Sequence, residues 1–351
     1  MGAEAAAPPP ASSRVAPEHG VAARLRAVSS IARAAAGVGV AAILALGVAA
    51  FAGSPAGGAG AEPLRVELRA RAIAPGEPVR IVVVAPRPLA SLVGTFLGRP
   101  LFFVRESSEA RDETQDAAAA HRPRRESLEA REETWSAFAL VGLDDKARRA
   151  RAVVRARDAR GRAFAGAASA AVETRRFPEE RITVEPKYVE PPPDVMERIR
   201  REQTLLAKVY AARSAAPPVG PFVRPVAGEK RGAFGGRRVF NGRPRAAHGG
   251  IDLAAPTGTP VAAAGAGKVV VAQDLYFSGN TVVLDHGGGL FTIYAHFSRI
   301  DVAVGAEVAR GATLGLSGAT GRVTGPHVHW GAKVGAEPFD PEALLSPELF
   351  R

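Results

Sequence analysis

Apolar and polar positions alternate along the first half of the chain. Leu64, Val66 and Leu68 are interleaved with Arg65, Glu67 and Arg69, which is the period of a strand with one wet face. After the Pro75-Gly76 turn, Val79–Val84 reads as a second strand, followed by Leu101–Val104, Trp135–Leu143, Ala150–Ala156 and Ala163–Val172. Short strands at this spacing predict an immunoglobulin-like β-sandwich over residues 62–176. Residues 105–133 are charged, Ala-rich and without strand character, and read as an exposed insertion in that sandwich. The period then lengthens. Val195, Ile199, Leu206, Val209 and Tyr210 fall at helical spacing after Pro191-Pro192-Pro193, so a connecting helix is predicted over 194–212 with Asp194 as its N-cap. With the Pro-rich stretch 214–221 it makes a connecting segment, 177–221. From 222 to 351 short β runs return between Gly turns: Gly267–Ala272, Thr281–Leu284, Phe291–Ala295, and a short hairpin bracketed by Val302–Gly305 and Val308–Gly311. The whole reads as mainly β, ending in an antiparallel β domain.

Residues 1–61 follow neither period. Residues 1–20 read as a disordered tail. Arg24, Arg26 and Arg33 then precede an uncharged run, Ala34–Ala61, whose apolar core runs from Val38 to Phe51. A basic flank before such a run is the pattern of a signal peptide or a membrane anchor, the latter through residues 34–53. Both readings carry the rest of the chain out of the cytoplasm.

Composition changes this picture in two ways. The chain has no cysteine, which excludes disulfides, iron–sulfur clusters, a thiolate nucleophile and Cys-type zinc sites. Its net charge is +11; removing residues 1–61 takes away four arginines and two glutamates and leaves +9. That excess suits an anionic partner, but there is no nucleic-acid motif or interleaving of aromatics with basic residues, and nucleic acid is not expected.

Five of the seven histidines lie between 248 and 329. Ala247-His248-Gly249-Gly250-Ile251-Asp252 gives His-x-x-x-Asp, and Pro326-His327-Val328-His329 gives His-x-His. Two glycines disfavour a helix at the first motif, and His-x-His shares a side only on an extended chain. Both motifs therefore suit strands or strand ends facing one groove. Two imidazoles and a carboxylate around an open position match a catalytic zinc site. His296 lies between the motifs. His286, beside Gly287-Gly288-Gly289, reads as a solvent-facing or turn-bonded residue, and His121 as a solvated surface one. Arg237 and Arg238 read as surface arginines, with substrate carboxylate contact as the sharper alternative.

Together, Phe234-Gly235-Gly236-Arg237-Arg238, His248-x-x-x-Asp252, Gly258-Thr259-Pro260-Val261, Tyr294-Ala295-His296, Gly318-Ala319-Thr320-Gly321 and Thr324-Gly325-Pro326-His327-Val328-His329 resemble the zinc metallopeptidases of the lysostaphin and LytM type, the M23 family. The resemblance spans about 222–339, and the upstream arrangement is similar to an exported subgroup. It implies one zinc ion bound at His248, Asp252 and His329, with His296 and His327 catalytic, either of them the general base. It implies hydrolysis of peptidoglycan cross-links in the cell envelope, on the periplasmic or outer side of the membrane. Because some relatives lack metal ligands and act as regulators, a catalytically silent wall-binding or hydrolase-activating module with a structural metal is the competing expectation. A sandwich that covers the groove and keeps the enzyme latent is a further one.

Overall fold

Strand formation follows the alternation closely wherever both faces of a strand have a defined job. The computed structural model describes residues 61–106 and 132–351. The tail, the apolar run 34–61 apart from its last residue, and most of the insertion with His121 lie outside the described residues. In the N-terminal half, β1 (Arg65–Arg69), β2 (Glu77–Ala85) and β4 (Glu133–Val141) form one antiparallel sheet, and β3 (Ser91–Phe96), β5 (Arg149–Arg157) and β6 (Ala163–Ala171) form another. Val79, Ile81 and Val83 from the first sheet and Phe96, Ala152, Val154 and Phe164 from the second share one core. β5 shows why: its alanines and Val154 are buried while Arg149, Arg151, Arg155 and Arg157 face out, each residue type on the side its solvation demands.

Two expectations change here. Leu101–Val104 is not a strand along its length; only Val104–Arg105 pairs, with β4. The strand the pattern concealed is β3, whose alternation is broken by the outward Val93 and by Gly94. A Cβ on Gly94 would sit 2.8 Å from the Val153 carbonyl oxygen on β5.

The connecting segment contributes β7 (Glu179–Ile182) and α1 (Met196–Ala211), the latter entered through a 3-10 turn at Pro193–Val195. Asp194 lies inside that turn, and Val195 takes the N-cap position without a side-chain cap bond, so the expected Asp194 cap is not made. Proline at the start of the turn, having no N–H to satisfy, sets the entry instead. Ile199 and Tyr210 bury the apolar stripe, and Tyr210 meets Phe291 edge-on at 5.5 Å.

The C-terminal half is built on a large antiparallel sheet in which β9 (Gly250–Ala254), β14 (His327–Val334), β12 (Leu290–Ile300), β11 (Gly279–Asp285) and β10 (Gly267–Leu275) are neighbours in that order. β13 (Thr313–Ser317) pairs with the far end of β12. The predicted 302–311 hairpin is not formed: Glu307–Val308 pairs instead with the start of β10. β7 runs parallel to β8 (Arg237–Phe240), in full register from Glu179 with Arg237 to Ile182 with Phe240.

Sandwich and C-terminal sheet are joined by an ion quartet. Arg71 reaches Glu77 at 2.5 Å and Asp340 at 3.0 Å, and Arg175 reaches the same carboxylates at 2.6 and 2.8 Å. Both carboxylates are almost fully buried, while the arginines keep a wet edge. Two positive and two negative charges cancel, so little net charge is left at the junction.

Candidate metal centre

Two of the three expected ligands, Asp252 and His329, are brought together by strand pairing. β9 and β14 run antiparallel with Asp252 directly opposite His329, and directly opposed residues project to one face. Because strand side chains alternate, His327 shares that face with His329, while Val328 and Trp330 are buried on the other. His248 precedes β9 and is held by a backbone clasp: its N–H donates to Gly236 O, and Gly235 N–H donates to His248 O. The crowding explains two glycines. A Cβ on Gly232 would meet Asp252 Oδ2 at 2.6 Å, and one on Gly250 would meet Trp330 O at 2.4 Å.

Three acceptor-type atoms converge. His248 Nε2 lies 3.0 Å from His329 Nδ1 and 3.1 Å from Asp252 Oδ1, and His329 Nδ1 lies 2.9 Å from Asp252 Oδ1. His248 Nδ1–H donates to Ala233 O at 3.0 Å, which fixes the tautomer and leaves Nε2 with its lone pair inward. Burial holds the His329 imidazole below its ordinary pKa, against the opposing pull of Asp252. Burial pushes the Asp252 carboxyl up, but the adjoining His248 and His329 rings outweigh it and keep it far below the usual range. Two imidazoles and one carboxylate, all turned to one point, are a donor set that fits a divalent metal ion.

The other carboxylate oxygen has its own partner. Asp252 Oδ2 accepts from Arg238 Nη2 at 2.8 Å, and Arg238 Nε donates to Glu180 Oε2 of β7 at 3.3 Å. Arg238 is thus not a surface residue, whereas Arg237 beside it is exposed. Alternation on β8 turns one of any two successive arginines inward, a signal that was present in the sequence. Glu180 carried none.

His296 and His327 stand beside the cluster. His296 Nδ1–H donates to Thr320 O at 2.8 Å and His327 Nδ1–H to Gly325 O at 2.8 Å, so in both rings Nε2 is the free nitrogen. His327 Nε2 is 3.7 Å from Asp252 Oδ1, and the two ring centroids are 4.8 Å apart. Burial, reinforced by His327 and His329, lowers the His296 pKa to about 3.

His296 reaches the groove through a bulge. Tyr294 pairs with Val282 and Phe297 with Asn280, so Ala295 and His296 together oppose one residue of β11. His296 takes a left-handed φ of +70°, a conformation that costs a non-glycine residue roughly 1 kcal/mol or more.

His286 stands apart. It is buried rather than solvent-facing, with Nδ1–H donating to Ala266 O at 2.7 Å and Nε2 2.6 Å from Thr292 Oγ1. The glycine-rich turn beside it misled, because the ring points back between strands. Among the described residues, none of the sandwich lines the groove. Its walls include Ile182 and Val184 of the connecting segment, with Phe240, Phe277 and Arg322. Asn241 clamps that segment, accepting from Val184 N–H at 3.0 Å and donating to Val184 O at 2.9 Å.

Residues 246–341 match the model of peptidase family M23. A peptidoglycan DD-endopeptidase of Vibrio cholerae serotype O1, ShyA, is 46% identical over 108 residues, 30% of this chain and 25% of that protein. A DD-carboxypeptidase/endopeptidase of Neisseria meningitidis serogroup B, Mpg, is 43% identical over 104 residues, 29% of this chain and 24% of that protein. The match thus spans about a quarter of the length of these curated relatives. A Pseudomonas aeruginosa crystal structure, described as a candidate M23 peptidase, aligns over 78% of this chain and 95% of its own, with a TM-score of 0.52 and 28% identity. Through its C-terminal domain, which carries the clustered histidines and Asp252, the chain belongs to peptidase family M23.

Proposed function

We propose that the protein is an exported zinc endopeptidase that hydrolyses peptide cross-links in peptidoglycan. The observation that carries this reading is the convergence of His248 Nε2, Asp252 Oδ1 and His329 Nδ1 within 3.1 Å of one another, next to two further histidines with free Nε2 atoms. His248, Asp252 and His329 are the residues that would hold the ion. A zinc ion held there supplies Lewis acidity, acidifying water to a pKa of about 7 and polarising the scissile carbonyl. The chain's own groups supply the proton traffic. One of His296 and His327 takes a proton from the attacking water and returns it to the leaving amine. The other, when it carries a proton on Nε2 as well as Nδ1, can donate a hydrogen bond to the oxygen that gains charge. Fixed Nδ1–H donors hold both rings in position for these roles.

Among the described residues the metal-competent group has three members. A structural zinc site would be closed by a fourth protein ligand, so this arrangement favours catalysis over a silent module. Export is supported by the apolar run 34–53 behind its arginines and by the absence of cysteine. The partner is peptidoglycan, in keeping with the printed activities of ShyA and Mpg. Restraint on access is assigned to the connecting segment, whose Ile182 and Val184 wall the groove. The test is mass spectrometry of the products released from purified sacculi by the zinc-loaded protein, with and without chelator. Cross-link cleavage that chelation stops is expected; intact cross-links in both samples would overturn the reading.

A further inference from the structure

The groove beside the metal cluster is lined by two arginines, Arg238 and Arg322, with the exposed Arg245 near enough for its charge to be felt. Arg238 is held by Asp252 and Glu180, and Arg245 donates to Val189 O at 2.6 Å. Arg322 is different. Its guanidinium lies over Phe240, 4.6 Å from the ring centroid, and over Phe277 at 5.2 Å. Its backbone N–H is tied to Phe277 O at 2.8 Å. Among the described residues no carboxylate or carbonyl accepts from its side chain, although it lines the same cavity as Asp252, His296, His327 and His329.

Such an arrangement is costly in a protein without a ligand. Burial, with the like charges of Arg238 and Arg245, lowers the Arg322 pKa to about 10, so the side chain stays cationic at neutral pH. A cation drawn out of water with no counter-charge is destabilising. Cation–π contact recovers part of that cost. Ring contacts of this kind use none of the guanidinium N–H groups in a hydrogen bond, and those groups match a carboxylate in two-point fashion.

We propose that Arg322 is a specificity-determining residue that binds a free carboxylate of the peptide substrate on the carbon bearing the leaving amine. The inference rests on the endopeptidase reading above and goes beyond it by naming what the groove reads next to the cut bond. Phe240 and Phe277 pre-orient the guanidinium, so little side-chain freedom is lost when the carboxylate arrives. The anion also supplies the counter-charge that Arg322 lacks among the described residues. A peptide with a neutral group at that position covers the half-buried Arg322 without giving it a counter-charge, and is disfavoured because the guanidinium then loses water with no partner in exchange.

The experiment compares kcat/KM for two synthetic cross-linked peptides that differ only at that carbon, one a carboxylate and the other a carboxamide. The zinc-loaded full-length protein should prefer the acid roughly tenfold to a hundredfold. In Arg322→Gln the ratio should fall toward one, and in Arg322→Lys it should be intermediate, because charge is kept without the fork. Bound zinc, measured in each variant, must equal that of the wild type; if Arg322→Gln loses zinc or folds poorly, Arg322→Lys and the wild-type ratio decide. Equal rates on the two peptides in the wild type, or an undiminished preference in a folded variant, would overturn the proposal. Cleavage of neither peptide by the wild type would instead overturn the endopeptidase reading on which it stands.

Discussion

Acidification should destabilise the C-terminal sheet through a histidine far from the metal ligands. His286 is fully enclosed, and burial lowers its pKa from 6.5 to about 4 against the opposing influence of the Ala266 carbonyl and Asp285. Its Nδ1–H serves Ala266 O, so Nε2 must accept from the Thr292 hydroxyl, which in turn lies 3.0 Å from the Tyr294 hydroxyl. Phe222 closes the site edge-on. Between pH 6.5 and 4 the unfolded chain takes up a proton at this position that the folded chain refuses, so stability falls as pH falls. The gap between 6.5 and about 4 corresponds to about 3 kcal/mol, present in full above pH 6.5 and lost by pH 4. At pH 5 about 2 kcal/mol of it is gone, a large share of a total that rarely exceeds about 15 kcal/mol. Urea unfolding of metal-free wild type and His286→Gln at pH 7.5 and pH 5 isolates the effect, because every other titrating group is common to both. The wild type should lose about 2 kcal/mol more than the variant over that interval. The same loss in both proteins would refute the assignment of His286 as a neutral, enclosed imidazole.

Other outcomes follow from the site. His248→Ala and Asp252→Ala should each abolish zinc binding, read by metal analysis after dialysis, and with it all hydrolysis of sacculi. His296→Ala should keep its zinc but lose turnover by about 10²–10⁴-fold; loss of the metal there would overturn its assignment as a proton-transfer group. Asn241→Ala removes two hydrogen bonds that hold Val184, about 1–3 kcal/mol of restraint on the connecting segment. Cleavage of cross-linked substrate should then rise several-fold, and an unchanged rate would show that the segment does not limit access.

What could be read from the sequence was whatever rests on period and spacing. β1 and β5 announce themselves because each has one face toward the sandwich core and charged residues on the other, whereas β2 shows as a continuous apolar run and β6 as an alanine-rich one. The strand-borne histidines were legible for the same reason: His-x-His can share a side only on an extended chain, and β14 is one. What could not be read depends on which elements meet in space. β3 hides behind an exposed valine and a glycine required by the close approach of β5. Arg238 looked like one arginine among many, and only the packing of β8 against β9 puts it on Asp252. His286 was misread because a turn in the sequence does not say which way the adjoining ring points. Arg322 has no local signature either; its character comes from two phenylalanines supplied by distant segments and from the absence of a facing acid among the described residues.

The bulge on β12 has a consequence best put as a matter of parity. Tyr294 belongs to the core, fully buried beside Trp330, and Phe297 is buried too. In a regular strand those two positions, being three apart, would face opposite ways. The extra residue corrects the count, so Ala295 and His296 both reach the groove while the core keeps both aromatics. Substituting histidine into an unbroken strand would not reproduce this site, because any position gained for the groove is taken from the core or lies one pleat away. The histidine is in effect an insertion that the sheet tolerates. Deleting it should give a regular strand in which Tyr294 and Phe297, now two positions apart, still share the core face, while the groove loses its histidine. The extra residue in this strand is therefore held by the chemistry of the groove, since the packing of the core is met without it.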